Sequence, residues 1–228
     1  MYISVSDAKA RQEKLREQIV INPLKKEVTT VAGADISFDK KSDRVYAGIV
    51  VLRLSGLEVV ARSAVAAHVD FPYIPGLLAF RELPPLKEAW NRLKIKPDVL
   101  ILDGHGIAHP RRVGLATHFG IVMDHPTIGC AKNNLTGSYE EPDSEKGSYR
   151  SITDDGERIG IVLRSRTNVK PIFVSPGHKV SFGDSREIVM KCLDRYKLPE
   201  TTRKAHDLVN RLRRGETEPG FLSFQSNA

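Results

Sequence analysis

The part of this sequence best suited to chemistry is an apolar run that ends on an acid and opens into a glycine-rich, basic loop. It reads Val99-Leu100-Ile101-Leu102-Asp103-Gly104-His105-Gly106-Ile107-Ala108-His109-Pro110-Arg111-Arg112-Val113-Gly114. The short, β-rich run predicts a buried strand, and a carboxylate at the end of such a strand stands where open α/β sheets bind their ligands. Gly104, Gly106 and Gly114 let backbone approach a ligand closely. Arg111 and Arg112 are suited to holding phosphate. Acid plus phosphate-friendly loop points to metal-assisted chemistry on a phosphate ester, against the plainer alternative of an Asp that caps a turn.

A second acid, Asp35, follows the small residues Gly33-Ala34 inside another apolar segment. A lone acid there is costly unless it is paired or holds a cation, and the small neighbours leave room for a backbone or a ligand. Asp35 and Asp103 meet if their strands are neighbours. With Glu82 they form a hard-oxygen set that favours Mg²⁺ or Mn²⁺ over zinc; on pattern alone, however, Glu82 reads as a solvated helix charge paired with Arg81 or a neighbouring lysine. Lys132 leaves another apolar run, Thr127–Cys130, at the same sheet edge, where it either holds a phosphate or is a plain surface lysine. His206 lies among Arg203, Lys204, Arg211, Arg213 and Arg214, so residues 201–215 hold five basic side chains and one acid, Asp207, a net of +4. His105 and His109 are four apart, as in helical zinc pairs, but Gly104, Gly106 and Pro110 oppose a helix and no cysteine joins them, so structural zinc is not expected.

The elements that must position these groups follow from periodicity and turn signals. Ser6 predicts the cap of a helix to about Val20. Strands are expected at Val28–Phe38, Val45–Leu54 and Leu57–Ala67 as an antiparallel meander. The proline-stiffened loop Phe71-Pro72-Tyr73-Ile74-Pro75-Gly76 precedes a helix, Leu77–Leu93, broken at Pro84-Pro85. Strand Val99–Asp103, helix Gly114–Met123, strand Thr127–Cys130, a turn-rich segment Gly137–Gly147, strands Arg158–Arg164 and Pro171–Val174, and helices Ser185–Tyr196 and Pro199–Arg214 complete the chain. The pattern predicts one domain over 1–215 with a mixed α/β sheet, and a loose tail over 216–228.

The chain has 228 residues, 40% of them hydrophobic, with Lys+Arg 35 against Asp+Glu 28 and a net charge of +7. This balance favours a polyanionic partner. Cys130 and Cys192 have no metal spacing and read as reduced core thiols, which suggests the cytoplasm. No apolar run approaches a membrane-spanning length, and the N-terminus lacks the features of a signal peptide.

Taken together, four segments resemble the endonuclease V (deoxyinosine 3′ endonuclease) family. They are Gly33-Ala34-Asp35-Ile36-Ser37-Phe38, Phe71–Glu82, Asp103–Arg112 and Pro126-Thr127-Ile128-Gly129-Cys130-Ala131-Lys132, in the family's order over most of the chain. The last departs from the usual Gly-Val-Ala-Lys by carrying Cys130. The resemblance implies a ribonuclease H-like fold: a mixed sheet of three antiparallel strands, then alternating helices and strands, flanked by helices. It implies a catalytic set of Asp35, Glu82, Asp103, Lys132 and His206, with Mg²⁺ on Asp35, Asp103 and Glu82 and Mn²⁺ able to substitute. Lys132 would stabilise charge near the scissile phosphate, and His206 falls at a position that is His in some members and Asp in others. Pro72, Tyr73, Ile74 and Pro75 match the wedge that enters the duplex. Gly76, Leu78, Gly104, Gly106, His109, Gly114 and Leu115 match the pocket for a flipped hypoxanthine. The implied activity is hydrolysis of the second phosphodiester bond 3′ to a deaminated base in DNA by a monomer, leaving 3′-hydroxyl and 5′-phosphate ends. An inosine-specific endoribonuclease is the alternative. A catalytically silent binding module is opposed by the presence of all four of Asp35, Glu82, Asp103 and Lys132.

Overall fold

The computed structural model of the chain describes residues 3–39 and 42–224. Strand β1 (Thr30–Phe38) is buried on both faces, with Val31 in one apolar cluster and Ala32 in another. A strand covered on both sides reads as a continuous apolar run, which is why it was visible in the sequence. β1 pairs antiparallel with β2 (Arg44–Arg53), and β2 with β3 (Val59–His68), giving the expected meander. The other edge of β1 takes β4 (Val99–Leu102) in parallel, and β5 (Thr127–Ala131) pairs in parallel with β4. Next come β6 (Tyr149–Asp154), β7 (Glu157–Leu163) and β8 (Ile172–His178). With β9 (Gly220–Ser223), the described strands form one sheet in the order β6-β7-β8-β5-β4-β1-β2-β3-β9.

Helices cover both faces. α2 (Leu78–Arg92) and α3 (Leu115–Met123) pack on the face that holds Ala32, Leu100 and Leu102. α4 (Phe182–Lys191) and α5 (Glu200–Arg213) pack on the face of Val31, Val99 and Ile101. The buried, free thiols of Cys130 and Cys192 belong to this second face. No helix among the described residues is long and apolar enough to cross a membrane.

Four local expectations are corrected. Helix α1 (Val5–Arg16) starts one residue earlier than Ser6 and stops well before Val20; its cap is Ser4, whose Oγ accepts the Asp7 N–H at 3.1 Å. α2 runs unbroken through Pro84 and Pro85. Burial of Leu86, Ala89 and Trp90 holds it on the sheet despite the missing backbone donors. β6 lies in a stretch that gave no strand signal, because at the sheet edge only Ile152 is fully buried. Part of the expected loose tail is ordered as β9, which pairs antiparallel with β3 from Ala61↔Ser223 to Ala64↔Gly220; residues 225–228 lie outside the described residues.

Candidate active site

Parallel pairing of β1 with β4 sets Ala34 beside Leu102, and the Asp103 N–H donates to the Ala34 carbonyl at 3.3 Å. Asp35 and Asp103 therefore leave neighbouring strands at one edge. Gly33 has a specific steric role here: a Cβ on it would lie 2.0 Å from the Thr201 carbonyl oxygen. The small residue admits the first turn of α5, and the rest of that helix brings His206 to Asp35. The room before Asp35 is thus filled by backbone rather than ligand.

The carboxylates are in an unfavourable setting. Burial, then the charges of Asp35 and Asp103, push the Glu82 carboxyl up to about 8 against a partial offset from Arg81. Burial and the Asp103 charge raise Asp35 as well, more than the hydrogen bonds of His206 and Ile36 lower it. Besides Arg81 and the Ile36 N–H, two side chains relieve this crowding. Lys132 Nζ is 2.5 Å from Asp103 Oδ2. His206 Nδ1 is 2.8 Å from Asp35 Oδ2, and Asn210 Nδ2 stands 3.0 Å from the other ring nitrogen. Among the described residues, no group of three His, Cys, Asp or Glu side chains is already arranged to hold a metal ion. The donors nevertheless suit a hard divalent cation: three oxygens at one edge, two of them raising the third, are stabilised by positive charge.

Beside this edge a cavity of about 390 Å³ opens between the start of α2, the 103–115 loop and the segment after β5. Gly76, Leu78, Gly104, His109, Gly114 and Leu115 line it, as do Glu82, Asp103 and Lys132. Tyr73 stands at the cavity and is 71% exposed. Phe71, two residues before it, is buried against Phe80 with ring centroids 5.7 Å apart. The loop is thus anchored by one aromatic ring and presents another. Pro72 and Pro75 flank Tyr73 and Ile74 and restrict the backbone between anchor and ring. Gly76 has φ +78, and the Leu77 N–H donates to the Ile74 carbonyl at 2.9 Å, closing the turn.

The Gly76 carbonyl ties three regions together. It accepts from Gln12 Nε2 at 3.1 Å, His109 Nε2 at 3.0 Å and Arg111 Nη2 at 2.8 Å. His109 Nδ1 accepts the Arg111 N–H at 3.1 Å, so the ring hydrogen sits on Nε2. Burial and the Arg111 charge lower His109 to about 4, which keeps it neutral.

Three expectations about this loop change. Gly106 does not line the cavity: its N–H donates to Ser175 Oγ at 2.9 Å, and a Cβ on it would lie 2.0 Å from the Pro176 carbonyl oxygen. It packs the loop on β8. Arg112 is buried between Asp154 and Glu157, 2.8 Å from each, and is spent on structure rather than phosphate. Arg111 is likewise engaged, with Nε 2.6 Å from Gln12 Oε1. The sequence reading missed Gln12, His105, Asn133, Asn134 and Leu135 as lining residues. The asparagines follow Lys132 directly and were open to inference. Gln12 lies in α1 and carried no signal.

Comparison with known proteins decides the family, since the sequence profile of endonuclease V matches residues 13–207. The chain belongs to the endonuclease V family. An endonuclease V of Dictyoglomus thermophilum is 49% identical over 195 residues, 86% of this chain and 85% of that one. One of Rippkaea orientalis is 47% identical over 207 residues, 91% of this chain and 90% of that one. The crystal structure of endonuclease V from Streptomyces avermitilis superposes with a TM-score of 0.90 at 38% identity, covering 95% of this chain and 96% of that one. That of Ciona intestinalis, in complex with a 24mer DNA containing an inosine followed by a ribo-adenosine, has a TM-score of 0.82 at 27% identity and covers 93% and 99%. The mixed sheet is the ribonuclease H-like fold of this family of nucleic-acid hydrolases.

Proposed function

We propose that this chain is a Mg²⁺-dependent endonuclease for DNA containing deoxyinosine. It hydrolyses the second phosphodiester bond 3′ to the lesion and leaves 3′-hydroxyl and 5′-phosphate ends. The observation that carries the reading is the convergence of Asp35, Glu82, Asp103 and Lys132 beside a cavity with an exposed aromatic at its mouth. The relative from Ciona intestinalis, described with inosine-containing DNA, supports the choice of substrate.

Asp35, Asp103 and Glu82 would hold the cation, and Mn²⁺ would serve in place of Mg²⁺. When bound, the metal supplies Lewis acidity toward the phosphate and a more acidic water. The chain's own groups do the rest. The Lys132 ammonium, free to turn from Asp103 to the substrate, offsets charge that develops on the phosphate. His206 orients Asp35 by donating from Nδ1, with Asn210 behind it. Tyr73 fills the stack vacated by the flipped base, and its neighbours Pro72, Ile74 and Pro75 limit the entropy lost on ordering. Backbone groups around Gly76, Leu78, Gly104, Gly114 and Leu115 read the lactam edge of hypoxanthine, with His109 fixing the Gly76 carbonyl. A mispaired inosine costs less to flip than a paired base, which adds selectivity. Two buried free thiols suit a reducing cytoplasm, and the enzyme acts there as a monomer.

The test is cleavage of matched DNA and RNA strands, each with one inosine, in Mg²⁺ with the cut mapped. Cutting of the DNA strand at the second bond 3′ to inosine is expected, with no cut when adenine replaces it. Preference for the RNA strand would move the assignment to an inosine-specific ribonuclease, and indifference to inosine would overturn it.

A further inference from the structure

The two faces of the sheet divide the site. The cavity lies on the α2 and α3 side, and the carboxylates stand at the edge. A strand that inserts a base on one face and sets its scissile phosphate at the edge continues over the other face, the side of α4 and α5. Two cations wait there that the catalytic reading does not use. β5 pairs antiparallel with β8 and ends with Ala131 opposite Phe173. Lys132 therefore leaves β5 where the chain enters β8, and Lys170, two residues before Ile172, emerges at the same rim. Lys197 arrives from the loop between α4 and α5.

That loop is braced. The Glu200 N–H donates to the Cys192 carbonyl at 2.8 Å and closes it. Within it, the Tyr196 ring is stacked by the guanidinium groups of Arg195 and Arg203, at 5.1 Å and 4.7 Å from the ring centre. Among the described residues, neither Lys170 nor Lys197 has a carboxylate partner. Burial, then the charge of Lys170 and, to a lesser degree, that of Lys132, lower the Lys197 ammonium, while Cys130 raises it, which agrees with the placement of these lysines at one rim by strand register and loop. Unpaired like charges held close on a fixed rim favour an anion between them.

We infer that Lys170 and Lys197 form a phosphate track that binds the DNA backbone immediately 3′ of the cut. The inference rests on the proposed function, which supplies the strand polarity: the base enters the cavity and the cut falls 3′ to it. The track holds the downstream phosphates through charge and reads no base.

The experiment compares duplexes with one inosine and either a long 3′ flank or one that ends just past the cut. A matching pair varies the 5′ flank. Affinities are measured in EDTA for wild type, Lys170→Gln/Lys197→Gln, and a control with the same charge change, Lys9→Gln/Lys14→Gln on α1. For wild type the long 3′ flank binds more tightly. In the Lys170→Gln/Lys197→Gln protein this long-to-short ratio falls roughly tenfold, and the salt slope on the long-flank duplex drops by about one for each lysine removed. An unchanged ratio, an equal fall in the control, or a fall that tracks the 5′ flank would overturn the track. Cleavage is read on the same wild-type samples after adding Mg²⁺. If the inosine strand is not cut but binding still follows the 3′ flank, the proposed function fails and the track stands. If it is cut and the ratio does not move, the track alone fails.

Discussion

Strand β4 has an aspartate at each end, in opposite circumstances. Before its first residue, Asp98 Oδ2 accepts from the backbone and hydroxyl groups of Thr29 and Thr30 at 3.0–3.1 Å, and Lys26 lies 2.9 Å from Oδ1. Burial raises this carboxyl, but Lys26, Thr30 and Thr29 outweigh it and hold it well below the usual range. After the last residue, Asp103 has, among the described residues, Lys132 as its one ion-pair partner and faces Asp35 and Glu82, whose carboxyls its charge raises. One end of the strand is electrostatically satisfied. The other carries an excess of negative charge that a bound cation would relieve. Location on a strand end does not separate a structural acid from a reactive one; its surroundings do.

The largest effects should break this symmetry. Asp103→Asn is expected to lower cleavage of inosine DNA by at least about a hundredfold, as for loss of a group that acts on the transition state, with little change in melting temperature. Asp98→Asn should do the reverse. It leaves Thr29 and Thr30 donors poorly satisfied, costs about 1–3 kcal/mol, and keeps the activity of the folded fraction. Parallel melting curves and initial rates decide it, and swapped outcomes would remove the contrast.

The glycines offer a second comparison across the same loop. A Cβ at Gly104 would be 3.6 Å from Leu115, ordinary contact, whereas at Gly106 it would collide with the Pro176 carbonyl. Gly104→Ala should fold normally and bind inosine DNA less well, since the methyl enters the cavity. Gly106→Ala should lose stability. Urea denaturation with affinity measured on the same proteins tests the pair.

Tyr73→Ala should weaken inosine-DNA binding by roughly five- to two-hundredfold, the value of about 1–3 kcal/mol for a stacked base, with little change in melting temperature because the ring is 71% exposed. A large drop in stability with near-normal affinity would show that the ring serves packing.

Glu82, which faces Asp103 from α2, and Asp98, at the other end of β4, also predict opposite pH behaviour, a smaller effect. Glu82 has an ordinary value of 4.5 and about 8 in the fold. Between these values the native protein holds a proton that the unfolded chain has lost, so metal-free stability falls as pH rises through this window. Glu82→Gln should flatten that fall. Asp98, depressed from 3.8, contributes stability above that value and loses it as pH falls below it, and Asp98→Asn should flatten the acid limb instead.

Much of this was legible in the sequence, for physical reasons that differ by residue. Strands β1, β4 and β5 are buried on both faces and announced themselves as apolar runs. Asp35, Asp103 and Lys132 stood out because a charge beside such a run needs an explanation. Edge strands β6 and β9 bury too little to leave a pattern. Arg112 read as a phosphate ligand because its partners, Asp154 and Glu157, come from a distant hairpin. Gln12 is invisible for the same reason, since its contacts with Gly76, Arg111 and Val113 exist only after folding.

The central claim is that the Asp35–Glu82–Asp103 edge is held in a charge arrangement that a divalent cation relieves. Its most direct test is the melting temperature of metal-free protein titrated with Mg²⁺ near neutral pH, for wild type and Asp103→Asn. Binding to the native state alone stabilises it by mass action, by about 2.7 kcal/mol at a hundred times the dissociation constant. The account predicts a saturable rise for wild type that is lost in Asp103→Asn. A wild-type melting temperature that does not move with Mg²⁺, or an equal rise in Asp103→Asn, would contradict it.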